Sequence, residues 1–374
     1  MKKLVALMVV LCLLPLPCFA QTSQPVSVSS PAAVLMHPSG EVLFEKNART
    51  QRFIASVTKV MTQLLVFEEI EAGRLSMADT VTASAHAASM GGSQIWLEEG
   101  ERFTVEEMLR AVAIASANDC AVALAEHISG SEEAFVARMN ERARELGMSN
   151  TVFRNACGLD AEGHLSCALD VALMGVQLAR YPKALELAST RQSYLRDGKS
   201  VLDNTNRMLG HFEGMTGLKT GYTQKAGYCL CASAEREGTA LVAVVLGGET
   251  SQKRNADIAA LLNWGFANYV TIRPTADRPL MPVPVTLGRS EAVAAEVAPF
   301  EGVLAKKGEK IQKTLSLVPS VKAPVHKGQV LGKLTLEQGG RVIAEIDIVA
   351  ACDAERLSYG GILSHLLRFG LMRG

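Results

Sequence analysis

Ser56 and Lys59, three residues apart in Arg52-Phe53-Ile54-Ala55-Ser56-Val57-Thr58-Lys59, are a pair whose types could do chemistry together. A serine hydroxyl becomes a nucleophile beside a base. A lysine can be that base when burial or a second cation leaves part of its amine neutral. Val57, Val60, Met61, Leu64 and Leu65 repeat at helical spacing. That pattern puts Ser56 at the start of a core helix, with Lys59 a turn further along on the same side and Gly73 as the stop. Ser-x-x-Lys alone arises by chance in a chain of this length, so two further fragments matter. Ser116-Ala117-Asn118 is as weak a signal by itself, and Lys219-Thr220-Gly221 is rarer.

The elements around these fragments can be read from periodicity. Ala33-Val34-Leu35-Met36-His37, then Pro38-Ser39-Gly40, then Glu41-Val42-Leu43-Phe44 reads as strand, turn, strand. Thr104 and Glu107 have the spacing of a capping box before a helix carrying Val105, Met108, Leu109 and Val112. Ser116-Ala117-Asn118-Asp119 interrupts that period, Cys120 to Ile128 resumes it, and Phe135, Val136, Met139 and Leu146 mark another helix ended by Gly147. Strands return at 227–233 and 240–246, joined by Glu-Arg-Glu-Gly, before a last helix with Ile258, Leu261, Leu262, Phe266 and Tyr269. Strands at both ends with helices between predict an α+β fold, one antiparallel sheet with an inserted helical lobe. The three fragments then fall at a helix start, at a break between two helices and at the edge of the returning strands.

After Arg273-Pro274 short alternating segments and Gly/Lys turns predict a small all-β domain over 274–352. The end, 353–374, carries Tyr359, Ile362, Leu363, Leu366, Leu367 and Phe369 on one helical face and Ser364, His365 and Arg368 on the other. An amphipathic helix with a basic polar face can lie in a membrane interface; packing on its own domain is the alternative.

Compartment is legible at the other end. Lys2-Lys3, the apolar run Leu4–Leu14 and the exit Pro15–Ala20 predict a cleaved export signal over 1–20, leaving a catalytic portion over 21–273. The 48% hydrophobic and 20% charged residues describe a globular chain, and the zero formal charge gives no electrostatic reason to expect nucleic acid. Six cysteines follow the signal. Cys157 and Cys167 could close a loop in an oxidising compartment, whereas buried free thiols fit Cys229-Leu230-Cys231 at least as well. Their spacings match no zinc pattern, and no His-Glu-x-x-His is present, so no metal site is expected.

In this order the three fragments resemble the signature of penicillin-binding proteins and serine β-lactamases. The chain is most similar to the low-molecular-mass D-alanyl-D-alanine carboxypeptidases. The likeness runs from about Ala33 through Val270 and includes Ile114-Ala115-Ser116-Ala117-Asn118-Asp119, Cys157-Gly158-Leu159-Asp160, Gly217-Leu218-Lys219-Thr220-Gly221-Tyr222-Thr223 and Lys225-Ala226-Gly227-Tyr228. The later β-domain and the tail also look like that family. The resemblance implies a β-lactamase/transpeptidase-like fold and attack of Ser56 Oγ on the carbonyl between two D-alanines. Lys59 would take the proton, with Lys219 helping to hold it neutral, and Ser116 would relay a proton to the departing D-alanine. It further implies that Asn118 binds the peptide stem, that the N–H groups of Ser56 and Tyr222 form an oxyanion hole after Gly221, and that Lys219, Thr220 and Arg254 bind the terminal carboxylate. The implied partners are peptidoglycan stem peptides ending in D-Ala-D-Ala, β-lactams and, through the tail, a membrane surface; no cofactor is implied. Tyr222 and Cys157 stand where some relatives have histidine, and the second departure bears on the tuning of deacylation. A class A β-lactamase would carry Glu-x-x-Leu-Asn between Asn118 and Lys219, and the chain has none there. A D,D-endopeptidase shares the nucleophile; the Lys-Thr-Gly segment with a carboxylate-binding arginine favours a free C-terminus.

Overall fold

The computed structural model describes residues 26–273, 279–300, 302–358 and 360–361. In chain order it opens with β1 (Ala32–Met36), fully buried, and β2 (Val42–Lys46), joined by a turn in which Gly40 takes φ +88°. A 3-10 turn over Ala55–Thr58 leads into α1 (Lys59–Glu71). Ser56 therefore lies on a tighter turn ahead of the α-helix, which starts at Lys59. β3 (Thr80–Thr82), the single turn α2 (Ala85–Ala88) and β4 (Arg102–Thr104) follow, with β3 paired to β4.

α3 (Val105–Ile114) starts on the expected capping box: Thr104 N–H donates to Glu107 Oε2 at 2.8 Å and Glu107 N–H to Thr104 Oγ1 at 3.2 Å. Such a reciprocal pair satisfies donors that the first helical turn leaves without partners. α4 (Asn118–Ser129) ends on left-handed Gly130, and α5 (Glu132–Glu145), α6 (Ala168–Leu178) and α7 (Pro182–Ser189) complete the lobe. The hairpin β5 (Gln192–Leu195) and β6 (Ser200–Asp203) precedes β7 (Met215–Thr223), β8 (Gly227–Arg236) and β9 (Thr239–Gly248). β8 and β9 run longer than their apolar cores suggested. Only Glu237 and Gly238 join them, both at positive φ, as a two-residue hairpin turn requires.

The sheet order β2-β1-β9-β8-β7 is antiparallel throughout, so the first strand of the chain pairs with the last of the sheet, Val34 opposite Val244. Alternation along β1 then divides the interior. Ala32, Val34 and Met36 join the helical lobe in one core, and Ala33 and Leu35 join the second core on the face covered by α8 (Ser251–Asn268). Tyr269, expected at the end of that helix, instead starts β10 (Tyr269–Ile272).

Beyond it lie β11 (Val283–Thr286), β12 (Ala292–Val293), β13 (Ala295–Val297), β14 (Val303–Lys306), β15 (Ile311–Leu317), β16 (Val321–Lys322), β17 (Val330–Gln338) and β18 (Arg341–Ala350). They form sheets β13-β18-β17-β15 and β12-β11-β16 around two small cores, and isolated bridges extend the pairing to Ala354 and Arg356. β14 instead pairs with β10. No described helix is long and apolar enough to cross a membrane. The expected signal (1–20) lies outside the described residues, and so does the expected amphipathic helix from residue 362 on.

Candidate active site

Ser56 is placed by the turn ahead of α1 and Lys59 by the first residue of that helix. Lys59 Nζ lies 3.0 Å from Ser56 Oγ. The amine is fully buried and also donates to Asn118 Oδ1 at 2.5 Å and to the Cys157 carbonyl at 2.7 Å. Three acceptors match the three N–H bonds of an ammonium. The neutral amine can keep Asn118 and Cys157 as acceptors and turn its lone pair to the Ser56 hydroxyl, which is the geometry of a general base. Burial brings Lys59 down to about 8, against smaller opposing effects of Cys157, Asp119 and Cys120.

Lys219, in the middle of β7, is also fully buried and donates to the Thr220 carbonyl at 3.1 Å. Burial, then the positive charges of Lys59 and Arg254, hold it well below the ordinary amine value. Desolvation leads in lowering Lys59, and Lys219 is close enough to feel its charge; repulsion between two buried ammonium groups is mutual, so each disfavours the protonated form of the other.

Ser116 sits at the break between α3 and α4 with φ +67°, and Ala55 before the nucleophile has φ +48°. Non-glycine residues hold such angles only where the surroundings over-determine them, commonly at functional sites. Asn118 starts α4 and is anchored twice to the 91–93 segment, its N–H to Ser93 O at 2.7 Å and Nδ2 to Gly91 O at 2.6 Å. Gly221 lets β7 pass directly over the Ser56 turn. A Cβ there would lie 2.7 Å from Ile54 O, 3.0 Å from Val57 N and 3.1 Å from Ser56 N. β7 is the edge strand of the sheet. Tyr222 follows, half-exposed, with its ring 4.3 Å from that of Tyr228. Arg254, on the first turn of α8, is buried and reaches the Cys229 carbonyl at 3.4 Å and Asn255 Oδ1 at 2.9 Å. Cys229 pairs with Gly221, which lies against the Ser56 turn, and Lys59 joins Ser56 to Asn118, so these contacts draw the expected site residues toward one region.

Several supporting groups carried no local sequence signal. Buried Asp119 Oδ2 accepts the N–H groups of Ile95 and Leu97 at 3.0 and 3.1 Å. His164 Nδ1 accepts the Arg154 N–H at 3.2 Å, which puts the ring proton on Nε2, 2.8 Å from Thr58 Oγ1. Burial keeps this imidazole neutral, with its pKa brought down to about 4. Gly158, φ +87°, lies so close to the nucleophile's turn that a Cβ would sit 2.0 Å from Ala55 O. Thr220 Oγ1 donates to Thr205 Oγ1 at 2.6 Å, and Thr205 N–H bonds to Ile114 O at 3.1 Å, tying β7 to α3. Cys157 and Cys167 do not pair; all six cysteines of the described residues are free thiols, and Cys352 alone among them is exposed.

The family model for D-alanyl-D-alanine carboxypeptidase matches residues 19–250, and that for the penicillin-binding protein 5 C-terminal domain matches residues 282–356. Over 347 residues the chain is 42% identical to the D-alanyl-D-alanine carboxypeptidase DacF of Bacillus subtilis, covering 91% of this chain and 89% of that protein. The structure of penicillin binding protein 5 from Haemophilus influenzae is similar with a TM-score of 0.74 at 30% identity, over 89% of this chain and 99% of that one. Penicillin-binding protein D2 from Listeria monocytogenes, in an ampicillin-bound form, is similar with a TM-score of 0.57 at 33% identity, over 65% of this chain and all of that one.

Proposed function

The chain belongs to the D-alanyl-D-alanine carboxypeptidase family, and on that premise we propose that it removes the terminal D-alanine from peptidoglycan stem peptides through an acyl-enzyme on Ser56. It is a serine-type carboxypeptidase. The observation that carries the residue assignment is Lys59 Nζ, 3.0 Å from Ser56 Oγ with a pKa near 8.

In this reading the neutral amine of Lys59 takes the Ser56 proton as Oγ attacks the carbonyl between the two D-alanines. Negative charge then develops on the carbonyl oxygen, for which the Ser56 and Tyr222 N–H groups are the donors. Preorganised donors of this kind are each worth about 2.7–4 kcal/mol. Ser116 passes a proton to the leaving D-alanine nitrogen, and Asn118 holds the stem. Lys219, Thr220 and Arg254 receive the terminal carboxylate; the cationic character of this end of the cleft supports recognition of a free C-terminus. Water hydrolyses the ester and returns Ser56. A β-lactam enters by the same attack, and the ampicillin-bound relative supports that reading.

The domain reading that accompanies this is a leader over 1–20, a catalytic portion over 21–273, a β-portion from 274 and a membrane-associating tail ending at 374. The basic and apolar start of the sequence and the amphipathic pattern of its end support export with peripheral attachment at the outer face of the cytoplasmic membrane.

The test is the intact mass of the exported chain after brief exposure to benzylpenicillin, beside Ser56→Ala, followed by an assay of D-alanine release from a stem pentapeptide. A penicilloyl adduct on Ser56 that decays slowly, with D-alanine release, is the expected result. No adduct, no drug consumption and no D-alanine release would sink the proposal.

A further inference from the structure

Trp96 stands beside the catalytic cleft in a backbone conformation that a large side chain disfavours. Its φ is +62°, and 74% of it is exposed, more than any other large hydrophobic residue described up to 273. Single exposed apolar residues are ordinary and carry no meaning by themselves. This one is clamped. Asp119 holds the N–H groups of Ile95 and Leu97 on either side. Arg196 donates to the carbonyls of Ile95 at 2.8 Å and Trp96 at 3.1 Å, and is itself held by Glu101 at 2.7 and 2.9 Å. Ile95 and Leu97 are buried, and Trp96 is turned outward between them. A glycine would adopt this backbone without strain, and the fold uses nothing of the indole. Strain maintained by several bonds, at a site where the fold gains nothing from the side chain, is the mark of a functional position.

The place of Trp96 in the fold says what it would meet. Asn118 holds Lys59, and the next residue, Asp119, holds the N–H groups on both sides of Trp96, so the clamp that fixes Trp96 is one residue from a group bonded to Lys59. An extended peptide, at about 3.4 Å per residue, carries the residues upstream of the bond being broken out beside that pair. Leu159, partly exposed and next to Gly92, continues the apolar lip from the cleft.

We propose that Trp96 forms a distal subsite for the acyl-donor arm of the stem peptide, its indole covering the carbons of the residues upstream of the two D-alanines. This rests on the carboxypeptidase reading above. Binding of a remote part of a substrate shows in KM, or in kcat/KM, for substrates long enough to reach it.

The experiment compares kcat/KM for a short N-acylated D-Ala-D-Ala, a full stem pentapeptide and a muramyl pentapeptide, in wild type, Trp96→Ala and Trp96→Gly. The glycine variant relieves the backbone, so thermal unfolding should show it folded. The expected result is that the ratio of kcat/KM for the pentapeptide over the short substrate falls about fivefold to tenfold in both variants, mainly through KM. An unchanged ratio overturns the inference. A loss confined to the muramyl substrate also overturns it, because the partner is then the sugar. The chain has two tryptophans, so Trp264→Phe with Ser56→Ala leaves Trp96 as the sole indole reporter. Its emission should shift on adding pentapeptide, and an absent shift at concentrations that occupy the cleft counts against the subsite. If the wild type forms no penicilloyl adduct and releases no D-alanine, the carboxypeptidase reading itself has failed. If it does both and the ratio stays flat, only the Trp96 subsite has.

Discussion

If Lys59 is the base, as proposed, the acylation rate becomes a titration of one side chain. Lys59 is brought to about 8 by burial, and a lysine can take a proton only in its neutral form. Acylation of Ser56 should therefore rise with pH through about 8 and fall about tenfold per pH unit below it. The measurement is the second-order rate of adduct formation by benzylpenicillin between pH 5.5 and 9.5. A rate flat across that range would remove Lys59 as the base. Cys157 sits beside this amine without competing for the role. Its thiol is raised by burial; Cys157 gives Lys59 a backbone carbonyl acceptor and a smaller upward pull on the amine's pKa.

At the scale of elements, the sheet closes because the first strand finds the last helix. Asp257 on α8 accepts Ser29 N–H at 2.9 Å, Ser30 N–H at 2.8 Å and Ser30 Oγ at 2.5 Å, fixing the approach to β1 where it pairs with β9. Burial pushes its carboxyl up, but the bonds from Ser30 and Ser29 outweigh this and leave it below its ordinary value of 3.8. A carboxyl depressed on folding stabilises above its unfolded pKa, and that contribution is lost as pH falls through the folded value. Asp257→Ala should cost about 2–3 kcal/mol, because it also strands buried donors. It should lower Tm by roughly 5–10 °C near neutrality. The variant should also lose less of its stability than wild type between pH 4 and 2, and equal losses in thermal melts would argue against the linkage. Elements of this kind divide what was legible in the sequence from what was not. The Thr104–Glu107 cap, the Glu-Arg-Glu-Gly turn ending at Gly238 and the apolar run of β1 are short-range patterns, and the residues that make them are neighbours in the chain. His164 reaches Thr58 across 106 positions and Asp119 reaches Ile95 across 24, so no periodicity announces either. The three motif fragments marked the proposed reacting groups, while the residues that hold them come from hydrogen bonds between distant parts of the chain.

For the whole molecule, the proposed site residues lie between 56 and 254, and the β-portion meets that part of the chain at a seam. β10 pairs with β14, Lys307 N–H donates to Asn268 O at 2.8 Å, and Lys307 Nζ caps the Phe266 carbonyl at 2.7 Å. None of these contacts touches Ser56, Lys59, Ser116 or Lys219. The membrane-associating tail proposed above should then govern where the enzyme sits and leave its acylation alone. In that proposal Tyr359, Ile362, Leu363, Leu366, Leu367 and Phe369 would supply the apolar face, and Arg368 would supply positive charge for anionic head groups. Each basic residue at such a surface contributes about 1 kcal/mol, which salt weakens, whereas burial of the apolar face is insensitive to salt. The exported chain should sediment with vesicles containing phosphatidylglycerol, only partly released by 0.5 M salt, and a chain ending at residue 358 should stay in solution. Both should acylate with benzylpenicillin at rates within about twofold, since the described seam lies away from Ser56, Lys59, Ser116 and Lys219. Equal sedimentation of the two chains would show that the tail is not the anchor. A large difference in acylation would show that the tail and the cleft are coupled.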